Sequence, residues 1–120
     1  QRVELAQTLA ELEVDSVAMN FYVPIAGTRL HDTLKGKSDL TPIDCLKAVA
    51  VYRLMLPWAD ITICGGREHN LRELQPLLLA AGANRLMSGN YLTTTGRSFN
   101  RDVQMIQDMG FKLVSDRQCP

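Results

Sequence analysis

The sequence predicts an α/β fold with a parallel sheet, and three observations carry this prediction. Helix-like and strand-like segments alternate along the 120 residues. The connections between them are short, and each strand-like run ends in glycine, proline or polar residues. Alternation of this kind is typical of parallel strands joined by helical crossovers.

The first predicted unit begins with a helix. Apolar residues recur at helical spacing from Val3 to Leu12. The apolar run from Val17 to Val23 predicts the first strand, which Asn20 interrupts. The polar stretch from His31 to Asp39 predicts a loop.

The second unit has clear boundaries. Thr41 and Pro42 predict a helix start, with threonine as N-cap and proline at the first helical position. That helix is expected to run to about Leu56, because the following proline cannot continue it. The strand Ile61 to Cys64 then ends at the pair Gly65-Gly66.

The third unit contains the longest predicted loop. A helix is predicted from Leu71 to Ala81, in which Pro76 predicts a kink or a later start. A short strand from Arg85 to Ser88 and a polar loop follow. The final helix is predicted from about Asn100 to Met109 and ends at a glycine.

Three such units leave two architectures open. They could form a small open parallel sheet, or the last three βα units of a TIM-type (β/α) barrel, whose usual length is about 250 residues. Apolar residues already recur at helical spacing from the first residues, as in the middle of a helix. We therefore expect that part of the fold lies upstream, which favours the barrel. We therefore expect residues 1–120 to be the C-terminal portion of a barrel, with the remainder of the barrel as its partner.

Composition excludes several function classes. Thirteen basic residues balance thirteen acidic ones, so no strong field favours nucleic acid or a membrane surface. No apolar run approaches the ~18–20 residues of a membrane span. The cysteines Cys45, Cys64 and Cys119 form no CxxC pair, which indicates reduced thiols in a cytoplasmic protein.

Candidate functional residues follow the predicted strands, because parallel α/β folds place their sites at the carboxyl ends of strands. The Asn20 amide either caps neighbouring backbone or binds a ligand with paired donors and acceptors, such as a cyclic urea. Cys64 either offers a thiolate to a metal centre or fills the interior as a small apolar side chain. The Gly65-Gly66 pair allows close approach to a ligand or a tight turn.

Two further segments carry weaker signals. Arg67 and Glu68 could bind an anion, although a surface ion pair is the commoner arrangement. The loop from Ser88 to Arg97 is rich in hydroxyl groups and backbone amides, which suit a carboxylate, but a solvated loop has the same composition. The residues by themselves leave the function open.

Over residues 2–113 the chain resembles the biotin synthase family. The matching stretches are ELAQTLAELEVDSVAMNFYVPIAGTRL, ICGGRE, AGANRLMSGNYLTTTGR and DVQMIQDMGF. Together they correspond to the region associated in that family with biotin and thiamin synthesis. The resemblance implies a radical S-adenosylmethionine barrel that inserts sulfur into dethiobiotin, working as a homodimer in the cytoplasm.

The resemblance also implies roles for individual residues. Asn20 matches an asparagine that binds dethiobiotin, and Thr93 and Thr94 match paired threonines near the carboxylate tail of that substrate. Val23 matches a residue that lines the adenine pocket of S-adenosylmethionine. The Gly65-Gly66 turn is expected to approach the same cofactor.

The cofactors implied are S-adenosylmethionine, a radical-generating [4Fe-4S] cluster and an auxiliary iron–sulfur cluster that donates sulfur. No CxxxCxxC occurs in this chain, so we expect the ligands of the radical cluster upstream and the chain alone to be inactive. Family members carry an arginine cluster ligand where this sequence has Thr62. We therefore hypothesise that Cys64, two residues on, is a ligand of a different auxiliary cluster.

Two alternatives remain open. A related radical S-adenosylmethionine enzyme, such as a hydrogenase maturase or a methylornithine synthase, shares the same barrel. A non-catalytic binding or assembly module would keep the fold without the chemistry. The loop with consecutive threonines favours biotin synthase.

Overall fold

A computed structural model describes residues 1–35, 40–91 and 95–114. The chain divides into two compact units, Gln1–Met87 and Ser88–Pro120. The helices are α1 (Arg2–Glu11), α2 (Arg29–Leu34), α3 (Pro42–Met55), α4 (Arg67–Leu71), α5 (Leu77–Ala80) and α6 (Phe99–Asp108), and the strands are β1 (Ser16–Met19), β2 (Asp60–Ile63) and β3 (Arg85–Leu86).

The first unit contains a three-stranded parallel sheet in the order β1-β2-β3. Ser16 pairs with Asp60 in the register of β1 on β2, and Thr62 pairs with Arg85 in that of β2 on β3. The predicted α/β class with a parallel sheet is therefore confirmed. Because the strands are parallel, their exits meet at one edge, which we call the carboxyl edge and define by Asn20, Cys64 and Met87.

The central strand β2 lies in the core of this unit. Its side chains alternate between half-buried and buried positions, and Ile61 and Ile63 are fully buried. Fully burying one such side chain contributes about 1.5–3 kcal/mol. Val49 and Leu56 are buried in the same apolar cluster. The predicted assignment of the two isoleucines to the same face is confirmed.

Helix α3 begins and ends where the sequence predicts. The Thr41 hydroxyl accepts a hydrogen bond from the Asp44 backbone amide at 3.2 Å, and the Asp44 carboxylate accepts one from the Thr41 amide at 3.1 Å. This reciprocal capping box satisfies two amides that a helix start otherwise leaves unpaired. The helix ends at Met55, directly before the predicted last residue.

Two predictions for the first unit are wrong. β1 ends at Met19, so Asn20 follows the strand rather than interrupting it. The stretch predicted as a loop from His31 contains most of α2, because the Thr28 hydroxyl caps its first turn by accepting from the His31 amide at 3.3 Å. Threonine is a favoured N-cap, and its signal was missed here.

The predicted helix from Leu71 to Ala81 is interrupted. α4 begins earlier, a 3₁₀ turn spans Arg72–Leu74, and α5 follows after Pro76. Arg72 has a φ of 51°, which lies outside the right-handed helical region, and proline has no amide with which to continue a helix. The expected later start at the proline is confirmed. The final helix α6 lies within two residues of its predicted bounds.

Candidate functional site at the carboxyl edge

The exits of β1 and β2 are joined by an unbroken row of hydrogen bonds. Cys64 donates its amide to the Met19 carbonyl at 2.8 Å, and Phe21 donates its amide to the Gly65 carbonyl at 3.0 Å. Between them, the Asn20 Oδ1 accepts from the Gly65 amide at 2.9 Å. The alternative in which Asn20 caps neighbouring backbone is therefore confirmed.

Capping uses one end of the Asn20 amide. The side chain is exposed, and its Nδ2 has no hydrogen-bond partner among the residues that the structure describes. An amide group presents two donors on nitrogen and an acceptor oxygen with two lone pairs. The cap therefore fixes the oxygen and leaves the donor end available to a ligand.

The glycine pair forms a tight turn against the segment after β1. Gly66 has a φ of +84° and is the N-cap of α4. A Cβ atom at this position would lie 2.0 Å from the Phe21 carbonyl oxygen. A Cβ on Gly65 would lie 3.1 Å from Asn20 Oδ1. The close approach that these glycines permit here is to protein backbone, and the tight-turn alternative is confirmed.

A residue that the sequence did not single out supports the same junction. Asn70 on α4 is buried, and its Nδ2 donates to the Tyr22 carbonyl at 2.9 Å and to the Gly66 carbonyl at 2.8 Å. Val23, the residue matched to the adenine pocket, is half-buried and follows directly. Burying an asparagine amide is costly unless it is bonded, but Asn70 precedes the helix predicted from Leu71, and no pattern in the sequence indicates its burial.

Arg67 is not at the surface. Its side chain is fully buried and donates from Nη1 to Gln75 Oε1 at 2.8 Å and from Nη2 to the Met87 carbonyl at 3.3 Å. Glu68 lies 3.8 Å from Nη1. The expectation of a surface pair is therefore wrong, because the Arg67 side chain is fully buried and its guanidinium donates to the buried Gln75 side chain and to the Met87 carbonyl.

Cys64 lies at the end of β2 as predicted. Its side chain is buried, and burial raises the pKa of the thiol because the charged thiolate is poorly solvated there. The Sγ atom makes a weak contact of 4.0 Å with the Thr62 carbonyl oxygen. The described residues contain no group of three or more His, Cys, Asp or Glu that could hold a metal ion.

The second unit contains the base of the threonine-containing loop. Gly89 donates its amide to the Arg97 carbonyl at 3.1 Å, which closes the loop. The Ser88 hydroxyl donates to Asp102 Oδ2 on α6 at 2.6 Å. The predicted substrate residues Thr93 and Thr94 lie outside the described residues, as does Cys119.

No helix in the described part of the chain has the length and apolar character needed to span a bilayer.

Cys45, the remaining cysteine, is buried in the core on α3, where burial raises the pKa of its thiol.

Comparison with known proteins identifies the family. Residues 18–112 match the model of the Biotin and Thiamin Synthesis associated domain. Among similar proteins, the biotin synthase of Citrifermentans bemidjiense is 55% identical over 95% of this chain and 34% of its own length. The biotin synthase of Geobacter sulfurreducens is 54% identical over 99% of the chain and 34% of its length, and that of Pelobacter propionicus is 54% identical over 92% and 32%.

The chain thus spans about a third of the length of the curated relatives it matches. The matched residues include β2, its glycine turn and the whole of the carboxyl edge. The chain belongs to the Biotin and Thiamin Synthesis associated domain family.

Proposed function

We propose that this chain is the C-terminal part of a biotin synthase, which inserts sulfur into dethiobiotin by radical S-adenosylmethionine chemistry. The proposal is carried by the Asn20 amide, which Gly65 holds at the carboxyl edge with its donor end available. The high identity to proteins named biotin synthase supports it over the related radical enzymes and over a binding module.

Asn20 is the proposed contact to the ureido ring of dethiobiotin. Its Nδ2 would donate to the ring carbonyl, and the second lone pair of its Oδ1 would accept from a ring N–H. Thr93 and Thr94 are proposed to bind the carboxylate tail on the strength of the family resemblance.

S-adenosylmethionine is the proposed cofactor at the same edge. Val23 would contribute an apolar surface to the adenine, and its half-buried position allows this. The Gly65-Gly66 turn would let the cofactor lie against main chain without side chains in between.

Cys64 fits one ligand of an auxiliary iron–sulfur cluster. A thiol can release its proton to solvent when it binds iron, even where burial raises its pKa, because the charge of the metal favours the thiolate. The cluster would supply the inserted sulfur atom. The ligands of the radical [4Fe-4S] cluster would come from outside this chain, which carries no CxxxCxxC, and the other auxiliary ligands would come from elsewhere in the full-length protein.

The proposed partner of the chain is the remainder of a (β/α) barrel. β1 and β3 each pair on one side within the described sheet, which leaves a strand edge on either side for further strands. The full-length protein is proposed to be a cytoplasmic homodimer.

Biotin formation by the full-length protein tests the function. The anaerobically reconstituted protein is incubated with dethiobiotin, S-adenosylmethionine and a reductant, and biotin is quantified by mass spectrometry. We expect biotin to form and S-adenosylmethionine cleavage to depend on dethiobiotin. If S-adenosylmethionine is cleaved equally with and without dethiobiotin, and no biotin forms, the proposal is contradicted and a related radical enzyme is favoured.

Iron and sulfide contents test the role of Cys64. In the full-length protein we expect Cys64→Ala to lose the iron of one cluster while the radical cluster keeps its absorption and its electron paramagnetic resonance signal. Cys45→Ala, which removes another buried thiol, serves as control and should keep both clusters. Unchanged iron and unchanged biotin formation in Cys64→Ala would leave Cys64 as a buried apolar side chain.

A further inference from the structure

Arg67 is the largest fully buried side chain in the described part of the chain. A guanidinium withdrawn from water is costly unless its charge and its donors are satisfied. Among its contacts, Nη1 donates to the Gln75 side chain at 2.8 Å and Nη2 donates to the Met87 carbonyl at 3.3 Å. Such a residue holds two segments in a fixed relation.

The neighbouring side chains complete a small polar network. Gln75 accepts from Arg67 through Oε1 and donates through Nε2 to Glu68 Oε2 at 2.9 Å. The same Nε2 donates to the Arg72 carbonyl at 3.1 Å, which supports the 3₁₀ turn. The network therefore ties the first turn of α4 to the segment that follows it.

The backbone of Arg67 lies at the glycine turn after β2, and its guanidinium lies at the exit of β3. Its backbone follows Gly66 directly, so it belongs to the turn whose Gly65 amide orients Asn20. Its guanidinium holds Met87, the residue at which β3 exits the sheet. Arg67 thus attaches the glycine turn to a neighbouring strand exit, within the first unit.

We propose that Arg67 is a positioning residue for substrate binding through the Asn20–Gly65 pair. It fixes the start of α4 on the β3 exit, and so it fixes the Gly65 amide against which the Asn20 side chain is oriented. This assignment rests on the proposed function, because it takes Asn20 as a contact to dethiobiotin. A displacement of about 1 Å at a binding group is enough to weaken binding or catalysis severely.

The test compares substitutions at Arg67 with two controls in the full-length protein. Arg67→Met keeps an apolar stem without donors, and Arg67→Lys keeps one charged donor group without the fork. Arg85→Met removes an arginine whose ion pair with Asp60 lies at the opposite end of β2 and β3. Val49→Ala leaves a cavity in the buried apolar core and serves as a control for general destabilisation.

The measured quantity is the dethiobiotin concentration that gives half-maximal biotin formation. General destabilisation lowers the active fraction and the maximal rate but leaves this concentration unchanged. We expect it to rise about tenfold in Arg67→Met and by a smaller factor in Arg67→Lys, and to stay at the wild-type value in both controls.

Three results would overturn the assignment. One is a wild-type value in Arg67→Met, or in Arg67→Lys if the methionine variant does not accumulate. Another is an equal rise in Val49→Ala, which would indicate a general effect of stability. An inactive wild-type protein would instead overturn the proposed function, and with it this assignment.

Discussion

Gly66 and Phe21 are packed main chain against main chain, so that a Cβ atom on Gly66 would lie 2.0 Å from the Phe21 carbonyl oxygen. Gly66 also has a φ of +84°, which L residues with side chains rarely adopt. Gly27 has nearly the same φ, +83°, but a Cβ there would meet nothing within 4 Å. A substitution at Gly27 therefore reports backbone strain alone, whereas one at Gly66 reports backbone strain together with close packing.

Alanine at these two positions should differ in cost. We expect Gly27→Ala to lower the free energy of unfolding by about 1–2 kcal/mol, the cost of the left-handed conformation. Gly66→Ala should cost a further ~1–3 kcal/mol because it also forces the turn away from Phe21. Chemical denaturation of the full-length protein measures both. Equal losses would contradict the close packing described for the turn.

The Ser88–Asp102 hydrogen bond predicts that the base of the loop loses local stability when the Asp102 carboxylate is replaced by a neutral amide. Asp102 is buried and lies 3.9 Å from the Arg97 guanidinium through its other oxygen. Asp102→Asn removes the charge opposite Arg97, so we expect local stability to fall by about 1–3 kcal/mol. Hydrogen exchange at the Gly89 amide, which is bonded to the Arg97 carbonyl, should become faster.

Asp108→Asn is the matched control for this prediction. Asp108 lies on the same helix but is exposed, and its Oδ1 accepts from Gln104 at 2.8 Å, which an asparagine oxygen can also do. Exchange at Gly89 should be unchanged in this variant. If Asp102→Asn behaves in the same way, the carboxylate does not anchor the loop.

The capping box of α3 predicts a pH dependence. Hydrogen bonds from the Thr41 side chain and backbone lower the pKa of Asp44 below its ordinary value of 3.8. Because the helical state has the lower pKa, the stabilisation is present above about pH 4 and is lost as the pH falls through the lowered value.

A synthetic peptide of residues 40–57 isolates this effect. Its helicity by circular dichroism, at low temperature because a helix of this length is marginal in water, should rise between pH 2 and pH 5. In Asp44→Asn the rise should be much smaller. A rise of equal size in both peptides would assign the dependence to other groups.

The sequence predicted those elements whose signals are local. Thr41 and Pro42 determine the start of α3 within the first helical turn, and Ile61 and Ile63 alternate as a strand buried on one face requires. The break at Arg72 could not be predicted, because it depends on Gln75 turning inward to meet a buried charge. No periodicity encodes such a contact.

The candidate site was predicted in part for the same reason. Asn20, Cys64 and the glycine pair follow strands, so topology alone brings them to one edge. Asn70 was missed, and the burial of Arg67 was not predicted, because their partners Tyr22 and Met87 are 48 and 20 residues away in sequence. A charged or amide side chain on a short helix is normally exposed, and sequence gives no sign of the exception.

The central claim is that Asn20 at the carboxyl edge binds dethiobiotin through its amide donor. It can be tested with a variant that removes the Nδ2 donor of the side chain and keeps the oxygen that accepts from Gly65. Asn20→Asp keeps an oxygen that can accept from the Gly65 amide but replaces the Nδ2 donor with a second oxygen. Asn20→Ala removes both. The aspartate variant should therefore retain the turn, while the alanine variant should lose stability as well.

The most direct measurement is the affinity of the full-length Asn20→Asp protein for dethiobiotin in the presence of S-adenosylmethionine, beside its melting temperature. We predict a melting temperature close to that of the wild type and an affinity lower by about 10–100-fold, the usual cost of losing a buried hydrogen bond to a ligand. Wild-type affinity in this variant would contradict the account, because Asn20 would then be a backbone cap alone.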